Sequence, residues 1–367
     1  MHPAVRRTAH ALTRNIDGTL LGIVVALLAV GVLVLVSASN LSATRVTGQL
    51  ANMLIALGVL WLFASIPPHF LMRLALPLYV VGVMLLVAVA LFGDMVQGAR
   101  RWLDLGITRI QPSEFMKIAV PLAMAWYFHR HEKTLQLANY AVAAVMLAVP
   151  VALIVRQPDL GTAVLITASG FFVLFLAGLS WRVIAGGAIA GAAALPLAWS
   201  ALRDYQRQRI LTLLDPSQDP LGAGYHTIQS MIAVGSGGWF GKGWLNGSQT
   251  HLDFIPELTT DFVFAVFAEE FGLLGCLALL CLYLAAISRG MLITANAPTL
   301  FTRLLCGAIT LTFFTYAFVN MGMVTGILPV VGVPLPFVSY GGTALVSICL
   351  GFGILMSVNA HKKLVQT

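Results

Sequence analysis

The chain has 367 residues, 59% of them hydrophobic and only 10% charged, with a formal net charge of +7 and a mean hydropathy of +0.90. A soluble domain carries about 25% charged residues, so the composition excludes a soluble globular protein and points to an integral membrane one. The positive balance suits a protein that handles anionic lipid, and no basic run or soluble domain is available to bind nucleic acid.

The apolar runs are long and continuous, which favours helices over a barrel of short alternating strands. In chain order the predicted spans are 17–38, 50–67, 74–93, 112–128, 138–155, 161–179, 182–201, 261–287, 304–328 and 340–360. The expectation is an all-α integral membrane protein, a bundle of about ten transmembrane helices in one polytopic domain over 1–367. The first run could pass for a signal peptide ending at Ser37-Ala38-Ser39. It is longer than the roughly 7–15-residue core of such a signal and reads as an uncleaved anchor.

An even number of spans puts both termini on one side. Residues 1–16, the C-terminal Lys362-Lys363 and the short loops with Arg73, Arg130, Lys133, Arg182, Arg289 and Arg303 fall there. The positive-inside rule makes that side the cytoplasm. Residues 202–260 then form a large outer, periplasmic loop between spans seven and eight. Of the fourteen acids only Asp17 and Glu132 are cytoplasmic, while Glu114, Glu269 and Glu270 lie within spans. The rest crowd the outer face, so the polar chemistry is expected there.

Asp261 opens span eight. Thr259-Thr260-Asp261 is good helix-capping chemistry, and a carboxylate at a half-buried rim is also a suitable base, since partial desolvation raises its basicity. Both readings stay open. Glu269 and Glu270 lie two turns further in, where a charge costs about 2.5–3.5 kcal/mol, which marks either function or paired structure. Glu114 and Lys117 are three apart on one helical face and can pair. Gln157-Pro158-Asp159-Leu160-Gly161-Thr162 sets Asp159 at the outer end of a span, as a cap or as a site group. The outer cations Arg100, Arg101, Arg109, Arg156, Arg203, Arg207, Arg209 and Lys242 are either phosphate ligands or solvated loop charge.

Gly235–Gly243 lacks the ending of a phosphate-binding P-loop and reads as a flexible loop with an interfacial Trp. Cys276, Cys281, Cys306 and Cys349 read as small core hydrophobes. There is no nucleophile elbow, zinc motif or dinucleotide fingerprint, and His226 and His251 are isolated. An enzyme built this way needs a donor already activated in the membrane.

The run Asn320-Met321-Gly322-Met323-Val324-Thr325-Gly326-Ile327-Leu328-Pro329-Val330-Val331-Gly332-Val333-Pro334-Leu335-Pro336-Phe337-Val338-Ser339-Tyr340-Gly341-Gly342 closely resembles the signature of the shape, elongation, division and sporulation (SEDS) family. Its last nine residues look like the elongation (RodA) branch rather than the division (FtsW) branch. Gln111-Pro112-Ser113-Glu114-Phe115 with Lys117, Gln157–Thr162, and Phe254–Glu257 through Thr260-Asp261-Phe262 match the family too.

The resemblance implies a peptidoglycan glycosyltransferase of the bacterial inner membrane. It would polymerise lipid II on the periplasmic face for cell elongation and rod shape, with a class B penicillin-binding protein and other elongation-complex proteins as partners, among membrane lipids. The family's catalytic aspartate falls on Asp261. Relatives often carry basic residues where Leu258 and Thr259 stand here, so a helper cation must come from elsewhere. An α-linked donor and a β-linked product require inversion, with one base and a stabilised leaving phosphate. Asp261 is assigned as base. Arg101, Arg109, Glu114, Lys117, Asp159, Arg203, Arg207, Arg209 and Lys242 are candidates for diphosphate binding or site support. No metal site and no certain cofactor are indicated; a divalent cation, Mg or Mn, is left open. The rival readings are a lipid II flippase or other transporter, using the intramembrane charges, and a noncatalytic scaffold.

Overall fold

The computed structural model describes residues 15–96, 99–104, 109–201, 207, 211–212, 215, 223–248 and 257–364. Each of the ten expected spans is a helix: α1 (Gly18–Ala38), α2 (Ala43–Ser65), α3 (Pro68–Phe92), α4 (Pro112–Arg130), α5 (Leu137–Arg156), α6 (Leu160–Leu176), α7 (Trp181–Ala201), α9 (Val263–Ala295), α10 (Leu300–Val324) and α11 (Thr343–Ala360). Seven of them are long and apolar enough to cross a membrane by length and composition alone. The large loop carries an additional helix, α8 (Ala223–Ser236). Between α3 and α4 stand three short antiparallel strands, β1 (Asp94–Val96), β2 (Ala99–Asp104) and β3 (Arg109–Ile110), in the order β1-β2-β3.

Helix α10 is the axis of the bundle. It touches α4, α6, α8, α9 and α11, while α2 runs along α11, α3 along α4 and α1 along α9. This arrangement explains why α4 fails a hydropathy test and is still a helix. Its Glu114 and Lys117 face α10 and α11 rather than lipid, and most of its side chains are buried. Large apolar side chains cover the outside instead, Leu54 at 73% and Phe92 at 80% exposure among them, as a lipid-facing wall requires. Cys306 and Cys349 are in the core as expected, but Cys281 is exposed on that wall.

At the end of the bundle assigned to the cytoplasm one carboxylate joins three helices. Asp17 caps α1 by accepting from Leu20 N at 2.8 Å. It also accepts from Arg289 of α9 at 2.5 Å and 3.2 Å, and from Asn359 of α11 at 2.8 Å. Burial pushes the Asp17 carboxyl up, but the hydrogen bonds from Arg289 and Leu20, with the charges of Arg289 and Lys362, outweigh it and hold it below the ordinary aspartate value.

A carboxyl lowered on folding stabilises the fold above its unfolded value, and that contribution is lost as pH falls through the lowered one. Asp17→Asn is therefore expected to destabilise the detergent-solubilised protein at neutral pH by about 1–2 kcal/mol, since the Arg289 side chain is a third exposed and solvent weakens the pair. Thermal unfolding should show the gap between wild type and variant closing only below about pH 4. Equal melting temperatures at pH 7 would show that the junction contributes nothing.

Candidate active site

Helix α9 is not capped by Asp261. Its N-cap is Phe262, which makes no side-chain cap bond. The segment before it is a tight turn, entered at Glu257 with a left-handed φ of 57° and closed by Thr260 N and Phe262 N, both donating to Glu257 O. Asp261 is half-buried at the head of the helix.

What holds this turn is the 320–342 run. The Asn320 side-chain amide donates to Asp261 O at 2.8 Å and to Val333 O at 2.7 Å. The Ser339 hydroxyl donates to Thr260 O at 2.5 Å and accepts from Leu335 N at 2.8 Å. Tyr340 N donates to Thr259 O at 2.8 Å. Gln49 of α2 braces the far side, donating to Ser339 O and accepting from Gly341 N. Gly332 has a φ of 71°, and a Cβ there would stand 3.3 Å from Asp261 Oδ2, so the carboxylate lies against bare backbone.

The Gln157–Thr162 stretch abuts the same loop. Asp159 caps α6 by accepting from Thr162 N at 3.1 Å, and its other oxygen accepts from Gln111 at 3.0 Å. A Cβ on Gly161 would meet Val331 O at 2.7 Å. Arg101 on β2 donates to Pro158 O at 2.6 Å, docking the small sheet here. Asp261 and Gly161 thus both lie against the loop 331–333, and Asp159 and Arg101 are bonded within or onto the stretch that carries Gly161. One turn along α10 from Asn320, Tyr316 lies under the Lys117 ammonium, 5.0 Å from nitrogen to ring centroid. Lys117 pairs with Glu114 at 2.5 Å, and Glu114 also accepts from Ser347 of α11 at 3.0 Å.

Other candidates go elsewhere. Lys242 is drawn to Glu269 at 2.6 Å and to Ser248 at 2.7 Å, about two turns of α9 away from Asp261. Arg207 folds back on the end of α7, donating to Trp199 O and Ser200 O. Arg109 lies on β3, paired with Asp104 across the sheet, but its side chain, like all of Arg203 and Arg209, falls outside the described residues. Gly235–Gly243 is no flexible loop: its first two residues end α8, and the rest, continuing to Ser248, forms an ordered strap against α9. Two of its glycines are needed for contact, since a Cβ on Gly237 or Gly241 would come within 2.1 Å of the carbonyl of Ala268 or Glu270. Among the described residues no group of three or more His, Cys, Asp or Glu is arranged to hold a metal ion.

Residues 18–364 match the FtsW/RodA/SpoVE family of cell cycle proteins, and the chain belongs to that family. It is 51% identical over 353 residues, 96% of this chain and 95% of the other, to the peptidoglycan glycosyltransferase MrdB of Escherichia coli K12. In folded form it resembles a chain solved in a study of the structural coordination of polymerization and crosslinking by a peptidoglycan synthase complex (TM-score 0.82, 32% identity, 96% of this chain and 99% of that one). It also resembles the rod shape determining protein RodA of Thermus thermophilus (TM-score 0.72, 29% identity, 94% and 97%).

In the sequence Asn320 stands out only as the first residue of a motif; its bridging role depends on a carbonyl 59 residues away. Asn320→Leu keeps size and removes both donations, leaving two enclosed carbonyls without this partner. A loss of about 2–6 kcal/mol follows, at about 1–3 kcal/mol for each abandoned group. Thermal unfolding measures it, and an unchanged melting temperature would refute the bridge.

Proposed function

We propose that this membrane glycosyltransferase polymerises lipid II into β-1,4 glycan strands for cell elongation and rod shape, working on the periplasmic face of the inner membrane. The observation that carries the reading is the half-buried Asp261, mounted at the mouth of the bundle by the 320–342 run through three backbone carbonyls, in a chain 51% identical to a named peptidoglycan glycosyltransferase.

Lipid II presents its reactive bond at the membrane surface, so the base must be there too. Asp261 takes the proton of the acceptor sugar hydroxyl as its oxygen attacks the anomeric carbon from the face opposite the diphosphate. The bond to the diphosphate oxygen breaks with its electron pair, the configuration inverts, and polyprenyl diphosphate leaves. Arg101 and Asp159 support the loop beside the base. Arg109, Arg203 and Arg209 are the cations we assign to the leaving diphosphate, whose oxygens a guanidinium matches in pairs. A divalent cation, where one takes part, would enter with that diphosphate.

The partner is a cross-linking transpeptidase of the class B penicillin-binding type. The resemblance to a chain from a synthase complex supports this reading. The transporter reading loses its footing in the buried charges. Lys117 and Glu114 hold each other, and Glu270 accepts from Ser37, which suits fixed architecture better than an ion relay.

The test uses purified protein in liposomes with fluorescent lipid II, alone and with its transpeptidase. Asp261→Asn should cut polymerisation by about 10²–10⁴-fold while the protein stays monodisperse, and Asp261→Glu should recover little, because one methylene displaces the reacting oxygen. Near-normal synthesis by Asp261→Asn would remove Asp261 from the mechanism, and equal rates with and without the transpeptidase would remove partner activation.

The orientation is tested separately. A cysteine at the exposed Asn246 should react with a membrane-impermeant thiol reagent in spheroplasts. Labelling only after permeabilisation would reverse the topology.

A further inference from the structure

Glu269 and Glu270 take no part in the mechanism above, yet they are the most enclosed acids among the described residues, at 0% and 1% exposure. They sit at a break in the helix. Gly272 has φ 63° and ψ −165°, and this interrupts the backbone ladder of α9. In an intact helix Leu273 N and Leu274 N would bond the carbonyls of Glu269 and Glu270. Here the strap takes over all four groups. Leu273 N donates to Gly238 O and Leu274 N to Trp239 O, while Lys242 N donates to Glu269 O and Gly243 N to Glu270 O. The break therefore costs no unpaired backbone group at these positions, and it cuts α9 in two.

The outer piece, 263–271, is a rod of about 13 Å at 1.5 Å per residue. Asp261 is at its head and the two glutamates are at its foot. Glu269 Oε1 accepts from Lys242 at 2.6 Å and from the amide and hydroxyl of Ser248, each at 3.0 Å, which fastens the foot to the strap. Glu270 Oε1 accepts from the Ser37 hydroxyl, which fastens it to α1. The strap is tied to α1 as well, through the Trp244 indole donating to Leu33 O at 3.0 Å. A carboxylate is suited to this task because each oxygen accepts several donors at one point.

We propose that Glu269 and Glu270 are positioning residues, clamping the foot of this half-helix so that Asp261 at its head is held where the acceptor hydroxyl arrives. The proposal rests on reading Asp261 as the base. It accounts for the two glutamates without a proton path, and it gives Lys242 a place in the clamp rather than on the diphosphate.

The test is steady-state polymerisation of lipid II by the full chain with its transpeptidase. Amide hydrogen exchange over 257–271 is followed in parallel, since it reports local opening. Glu269→Gln and Ser37→Ala should each lower kcat by about 10–100-fold, the range expected for displacement of a reacting group by about 1 Å, with KM changed by less than about twofold. Exchange over 257–271 should rise while the rest of the bundle is unchanged. Lys242→Arg should restore most of the kcat that Lys242→Met loses. Ser37→Ala removes a single hydroxyl and keeps the test alive if Glu269→Gln does not fold.

Folded clamp variants with wild-type kcat would overturn the proposal, and so would a Lys242→Met whose only defect is a raised KM. If Asp261→Asn is inactive while the clamp variants are normal, the base stands and the clamp falls. If Asp261→Asn is active, the base falls and takes with it any catalytic role for the clamp.

Discussion

Backbone that leaves the helix inside a membrane bundle must find its hydrogen bonds within the protein, because lipid offers none. Most of what is particular to this chain follows from meeting that requirement twice. The first place is the turn 257–262 with the loop 331–341, two irregular segments set against each other. Each makes a few turn bonds of its own, and the carbonyls left over are met from outside the segment. Asn320 bridges their carbonyls, Ser339 and Tyr340 cross-link them, and Gln49 closes the far side. A side-chain amide suits the bridge because its two N–H groups can serve two acceptors at once.

The second place is the break at Gly272, and its solution is different. Here backbone meets backbone, the strap running close along α9. Such an approach tolerates no Cβ, which is why Gly237, Gly241 and Gly272 all stand at the contact. A kink in a long helix needs an identifiable cause, and this one has a glycine in a left-handed conformation together with a second chain segment that replaces the missing bonds. Both irregular regions lie on the same half of α9. That half is held at either end, and the continuous half beyond the break packs as an ordinary span.

The helices were legible because an apolar run of about 20 residues has few alternatives. The Glu114–Lys117 pair was legible because i,i+3 neighbours must meet on a helix. Asp159 was legible as a cap, and the structure makes it one. Contacts between distant segments were not legible. Gly235–Gly243 looks like a flexible loop because glycines that permit close approach are the same letters as glycines that permit disorder. Lys242 looked like an outer cation until Glu269, 27 residues on, claimed it. Thr259-Thr260-Asp261 has capping composition, yet the turn from Glu257 shifts the cap to Phe262. Local chemistry predicted what each residue could do; the fold decided which partner it met.

The same logic separates the acids of this region by how they are held. Glu269 and Glu270 are held through their side-chain oxygens, which take donors from the strap and from α1. Glu114 is held through both oxygens, by Lys117 and Ser347. At the Asp261 turn the bonds from the 320–342 run fall on main-chain carbonyls, those of Thr259, Thr260 and Asp261 itself. Fixing a residue by its main chain sets the position of its carboxylate without spending carboxylate lone pairs on those bonds. Catalysis rewards position in a group that must also change partner during the reaction. The long 320–342 run is therefore understood as a mount: it grips the main chain at Thr259, Thr260 and Asp261, and on the proposed reading of Asp261 as base that grip is what sets the carboxylate in place.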